Sequence, residues 1–309
     1  MTMKKNKKHK LKKLKDNIEL FLFTLPAIVS LLIFHYWPLA GNVMAFKNYK
    51  VSTGVFGSEW CGLKNFEYFF KSQDAWRITR NTVLYNATFI VVGMLCAVIV
   101  AVLLYQISSK LAIKVYQTML ILPRFISWVI VSYLVYILLN PVSGVFNNIL
   151  TAFGAKPVQW YGTTKPWPII LVCSDLWKHI GLNTIIYYSA LLGIDNEMLE
   201  AAEVDGASRF KQMTRIAIPS ILPIIIIMLI LNVGTIFGGD FGLFYQVPRN
   251  IGTLYPVTDV IPTYVFRGLQ GGSYAVSTAI GLFQSLVGCI LVVVTNMIVR
   301  RIDSEKAMF

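Results

Sequence analysis

Two cations and a histidine sit in this sequence where charge is costly. Arg124 and Lys178 each fall about ten residues inside a long apolar stretch, which at about 1.5 Å per helical residue puts both about 15 Å deep in a bilayer. Charges at that depth face a bundle interior and mark a solute pathway or a buried pair. Trp177 precedes Lys178 and His179 follows it; Asn183 and Tyr187 lie further along the same stretch. Trp177, Asn183 and Tyr187, at i, i+6 and i+10, are expected to share one stripe. The next apolar stretch adds Asn232, Thr235, Phe237 and, at its outer end, Asp240. Planar hydrogen-bonding groups beside aromatic faces suit a polyhydroxylated solute such as a sugar. Asp175, one turn from Lys178, is expected to neutralise one of the two cations. The other is then left for a carboxylate or sulfate on the solute, and Arg is the better fork for such a group. The competing roles are a lipid-interface belt for the aromatics, interhelical hydrogen bonds for the Asn residues and simple packing for His179. No HExxH, paired-Asp or Ser/His/Asp arrangement accompanies these residues, so the chemistry expected is binding and not catalysis. The four Cys and three His show no metal-ligand spacing, and three of the Cys lie in apolar runs.

Positioning such groups requires membrane helices, and the composition calls for them. Of 309 residues, 56% are apolar and 14% charged, against about 25% charged for a soluble domain. Mean hydropathy is +0.61. Six stretches reach the roughly 20 apolar residues of a span: Glu19 to about Ala45, Asn81–Gln106, Val115–Leu139, Pro168–Ile194, Pro219–Phe237 and Ser277–Val299. Pro26, Pro38 and Pro123 predict kinks within them. The expected fold is therefore an all-α membrane protein of six helices, with residues 1–17 a basic cytoplasmic tail and residues 18–309 the membrane domain. The first apolar run is too long for a signal-peptide core and has no small-x-small cleavage site after it, so it reads as an uncleaved helix.

Orientation follows the positive charges. The net charge is +13, and eight of the 28 Lys and Arg lie between Lys4 and Lys15. This basicity is a tail and gives no reason to expect nucleic acid as a partner. With an even number of spans, sixteen Lys and Arg fall on the side of the termini and ten on the other, which places both termini in the cytoplasm.

The cytoplasmic loop between the fourth and fifth spans, about residues 194–219, carries the most patterned segment. Asp195 is an expected N-cap, with Glu197 in the first turn. Met198, Leu199 and Ala202 form a narrow apolar stripe. Gly206 ends this helix in a left-handed conformation. Ser208 then caps a second helix with Phe210, Met213, Ile216 and Ala217 on one face, and Pro219 opens the next span. Ala201, Ala202, Gly206 and Ala207 let another protein approach the backbone.

EAAEVDGASRFKQMTRIAIP resembles the EAA loop of binding-protein-dependent ABC importer permeases. The family pattern is carried by Glu200, Ala201, Ala202, Asp205, Gly206, Ala207, Ile216 and Pro219; Ile218 replaces the usual Leu and Met213 the usual Phe. FHYWPLAGNVMAFKNY, GLKNFEYFF, LPRFISWVIV, DLWKHIGLNTIIYYSAL and VTDVIPTYVFRGLQGGSYAVSTAIGLFQS are similar to segments of the polysaccharide and multiple-sugar permeases. The resemblance extends from Phe21 to Arg301. It implies a type I importer fold and a bacterial inner-membrane location. It also implies a second homologous permease subunit, two ATPase subunits docking on the loop and an extracytoplasmic sugar-binding protein. The helices flanking the loop would line the sugar site, and the long outer segment from Gly238 to Val276 would dock the binding protein. The chain has no G-x-x-x-x-G-K-[ST] loop, so ATP and Mg would be held by the partner ATPases and no cofactor by this chain. Peptide or amino-acid uptake is the alternative within the class, since the EAA loop occurs there too. A secondary transporter is the alternative outside it, but no duplicated halves are visible.

Overall fold

The computed structural model describes residues 17–302, so the basic tail lies outside it except for Asn17. The described chain is almost wholly helical; a two-residue antiparallel pair, Lys47–Asn48 with Glu59–Trp60, is its one sheet. Four helices are long and apolar enough to cross a membrane: Leu22–Phe46, Gln73–Tyr105, Trp167–Leu191 and Tyr274–Arg301. Two bent pairs bring the number to six if each is one span.

The bent pairs correct two expectations. The third span is broken, Lys110–Phe125 meeting Trp128–Leu139 at 100°. Pro123 supplies no amide hydrogen, and a 3-10 turn over Leu122–Phe125 ends the first half. Ser127 then caps the second half by accepting from the Ile130 amide at 3.4 Å. The fifth span does not open at Pro219. Helix already runs from Arg209, and a π-helical turn at Met213–Ala217 carries the chain into Pro219. The 57° bend comes after Ser220, before the Leu222–Gly234 helix, which has Pro223 in its first turn. That helix ends at Gly234, short of the expected Phe237.

The second and fourth spans pack along their length. On the cytoplasmic side, Ala97 and Ala101 admit Tyr187, Tyr188 and Leu191, with Met213, Ala217 and Ile221 closing the cluster. Small residues permit this approach where lipid gives helices no hydrophobic drive to associate. On the outer side, Trp167, Leu171, Leu243, Phe244 and Leu254 form a second core under the outer segment. That segment is short helices and turns, including Phe241–Gln246 and Ile261–Gln270, with no span of its own. It is bolted to the second span through Asp259, buried to 1% exposure, which accepts from Arg267 at 2.6 Å and Arg77 at 3.4 Å. Asn81 adds bonds to the Pro256 and Asp259 carbonyls at 3.2 and 3.0 Å. The apolar window of the first span is unburied throughout.

Candidate functional site

A cavity of about 310 Å³ opens between the second, fourth and fifth spans, at the break in the third. Its wall on the fourth span is a ladder at four-residue spacing: Asp175, His179, Asn183 and Tyr187. Four residues advance a helix by slightly more than one turn, so these side chains stack on one face. Opposite stand Asn232, Thr235 and Asp240, with Asn86 and Phe89 from the second span and Arg124 from the break. Arg124, His179, Asn183, Tyr187, Asn232 and Asp240, expected from sequence to share a pathway, are thus brought together.

Trp177 and Lys178 are not. Six residues carry a helix 240° round, so Trp177 cannot share the stripe of Asn183. It is 44% exposed and borders two larger grooves of about 420 and 710 Å³ with apolar walls. Lys178 is buried and donates to the backbone carbonyls of Pro123, Arg124 and Ile126 at the break. Nor does Asp175 neutralise Lys178: its Oδ1 is 2.9 Å from His179 Nδ1. Both i+3 and i+4 neighbours are within reach on a helix, and the carbonyls at the break claim Lys178. Missed in the sequence were Asn86, an amide inside an apolar run and so the one available signal, and the apolar wall residues Phe89, Ile90, Met94 and Leu182.

The polar groups of the cavity are largely prearranged. Asn86 Nδ2 donates to the Thr82 carbonyl and Asn232 Nδ2 to the Met228 carbonyl, each at 2.8 Å, so each side-chain carbonyl is the atom left for a hydroxyl donor. Asp240 lies in the cavity wall because the fifth helix stops at Gly234 and Gly239, at φ 129°, turns the chain back. Its Oδ1 caps the next helix through the Gly242 and Leu243 amides, and its Oδ2 accepts from Trp128 Nε1 at 2.6 Å. Both carboxylates therefore have partners of their own. Among the described residues the exposed Arg124 guanidinium makes no ion pair or hydrogen bond.

The cytoplasmic loop forms a helix over Asn196–Val204 and a second starting at Arg209. Asp195 caps the first, accepting from the Glu197 amide at 3.0 Å. Gly206 stands at φ 77°, with its amide on Glu203 O and the Ala207 amide on Ala202 O, which is a Schellman ending. Ser208 occupies the second cap position without donating or accepting a cap bond from its side chain. Met213 and Ala217 enter the core, but Phe210 does not: it is 77% exposed, like Val204 at 88%. Glu200, Ala201, Asp205 and Gly206 are exposed around this turn, Ala202 and Ala207 half-buried, and Ile216 and Pro219 lie at the root of the fifth span.

Residues 89–304 match the family model described as binding-protein-dependent transport system inner membrane component. The chain belongs to that family. This permease is 33% identical over 293 residues to Protein LplB of Bacillus subtilis, covering 94% of this chain and 92% of that protein. It is also 33% identical over 303 residues to the polygalacturonan/rhamnogalacturonan transport system permease protein YteP of Bacillus subtilis, covering 98% and 94%. Among solved structures, it superposes with TM-score 0.87 and 34% identity on a chain of a bacterial ABC transporter involved in the import of the acidic polysaccharide alginate, covering 96% of this permease and 99% of that chain. A second structure of a bacterial alginate ABC transporter, in complex with alginate pentasaccharide-bound periplasmic protein, gives TM-score 0.85 at 34% identity. The fold is that of a type I ABC importer permease, and the chain is a multi-pass membrane protein.

Proposed function

We propose that this permease forms half of the membrane pathway of an ATP-driven importer for acidic oligosaccharides. The permease role follows from the family. The sugar follows from relatives that serve polygalacturonan/rhamnogalacturonan and alginate and from a cavity of amide, hydroxyl and aromatic groups that suits sugar hydroxyls and C–H faces. The observation that carries the acidic class is Arg124, the cation in the cavity whose neighbouring carboxylates are already engaged. A carboxylate arriving there gains a charge-assisted bond, and the guanidinium fork matches it in bidentate geometry. Catalysis has no part in this reading: the chain binds and passes its solute, and ATP with Mg is held and hydrolysed by two separate ATPase subunits. Those subunits dock on Glu200–Ile216, where Val204 and Phe210 present apolar surface and the Gly206 turn lets a partner approach the backbone. A periplasmic or surface-tethered binding protein delivers the sugar from outside to the inner membrane.

One patterned loop in a six-span chain supplies one ATPase contact, so a complete importer needs a second. We infer a pseudo-twofold heterodimer with a homologous permease. Co-expression with the partner permease and ATPase genes, followed by native mass spectrometry, is expected to give one copy of each permease with two ATPase subunits. Isolation of this chain alone as an ATPase-binding homodimer that transports sugar would overturn the heterodimer.

A further inference from the structure

The first half of the third span ends at the break, which deprives its last carbonyl groups of the amides of a continuing helix; Pro123 O finds one backbone donor, the Ile126 amide at 3.2 Å. Lys178 meets that need. Its ammonium has three donors, and three carbonyls converge on it: Pro123 O at 3.4 Å, Arg124 O at 3.3 Å and Ile126 O closer still. Positive charge at a helix C-terminus is also favoured by the dipole. The neighbouring Gly181 brings the fourth span against the same place, since a Cβ there would collide with the Leu120 carbonyl. On the far side of the break, the Lys178 ammonium lies 5.1 Å from the Trp128 ring centroid. Trp128 in turn binds Asp240 and packs on Gly242, where a Cβ would strike its ring.

We propose that Lys178 is a positioning residue for Arg124: by gripping the three carbonyls of the break it holds residue 124 turned into the cavity. The Trp128–Asp240 bond ties the second half of the span to the outer segment on the far side of the same break. The lysine itself stays out of the solute's way, buried at 6% exposure and outside the cavity wall. The inference rests on the reading of this cavity as the solute pathway. It is nonetheless tested without any solute, so it can fail while the acidic-sugar reading stands, and the reverse.

The test measures the accessibility of position 124. In the full chain co-assembled with its partners, Cys61, Cys96, Cys173 and Cys289 are replaced by Ser and Arg124→Cys is introduced. The reaction rate with a membrane-impermeant methanethiosulfonate is then read on the monodisperse complex. With Lys178 present the rate is expected to be fast. K178M removes the ammonium donors and leaves the Ile126 amide on Pro123 O, and should slow it at least tenfold; K178R, which restores charge and donors, should return it to within about threefold. If K178M gives no monodisperse complex, K178Q replaces it, with two donors and no charge, and an intermediate rate is expected. An unchanged rate in K178M or K178Q overturns the proposal, as does a rate in K178R no faster than in K178M.

Discussion

Gly206→Val should uncouple the importer while leaving this chain folded and in the membrane. Gly206 sits at φ 77°, a conformation that costs an L-residue about 1–2 kcal/mol and a β-branched one more. A Cβ at this position meets nothing within 4 Å, so the substitution adds strain and outward bulk and no internal clash. The chain can relieve the strain only by giving up the Schellman bonds to Ala202 and Glu203. That would re-aim the Asn196–Val204 helix against the Arg209 helix. Binding-protein-stimulated ATP hydrolysis in reconstituted complexes is expected to fall at least tenfold, about the effect of 1.4 kcal/mol at the docking step. Gly206→Ala, with less bulk, should lie between. Normal stimulated ATPase activity and uptake in the Val variant would remove this turn from the coupling surface.

The second large effect is expected at Arg124. A hydrogen bond to a charged group contributes about 1.5–3 kcal/mol, so Arg124→Gln should reduce uptake of uronate-bearing oligosaccharides by about 10–100-fold. Neutral oligosaccharides of the same length should change by less than about threefold, because Gln keeps two donors of the original fork. Uptake of both sugar classes measured with the same binding protein, or ATPase stimulation where that protein admits only one class, separates the two outcomes. Equal loss for neutral and acidic sugars would reduce Arg124 to a structural role.

The parts of this molecule that were legible in the sequence are those set by local pattern. Long apolar runs located the membrane helices, and the Gly206 turn was readable because a helix ending in Asp-Gly-Ala has few alternatives to a left-handed stop. Asp195 at the first cap was readable because a short acceptor side chain before a helical stretch can take one of its first free amides. What escaped was decided by tertiary contacts. Pro123 predicted a kink; the 100° break is accompanied by a Ser127 cap beyond it and by Lys178, from another span, on its carbonyls, and neither contact is visible in the local pattern. Asp175 had two possible hydrogen-bond donors on its own helix, Lys178 and His179, and spacing alone does not choose between them. The carbonyls of another span took Lys178, and His179 took Asp175. Asp240 was legible as a pathway residue, but its setting was not: the fifth helix stops at Gly234, short of Phe237, and Asp240 caps the next helix at the cavity wall. The assignment of Trp177 to the solute stripe was an error of helical angle, visible without any structure. Phe210 was expected to share one face with Met213, Ile216 and Ala217, yet a π-helical turn over Met213–Ala217 interrupts the helical period, and Phe210 is exposed where Met213 and Ala217 are buried.

The most direct test of the account is uptake into proteoliposomes holding this permease, its partner permease and the two ATPase subunits, with ATP inside the reach of the ATPases and binding protein on the opposite face. Labelled uronate-containing oligosaccharides and neutral oligosaccharides of equal length are supplied separately. The account predicts accumulation of the acidic sugar that requires both ATP and the binding protein, is far greater than that of the neutral one, and is lost in Arg124→Gln. Accumulation without ATP or without the binding protein, or a preference for neutral sugars that Arg124→Gln leaves unchanged, would contradict it.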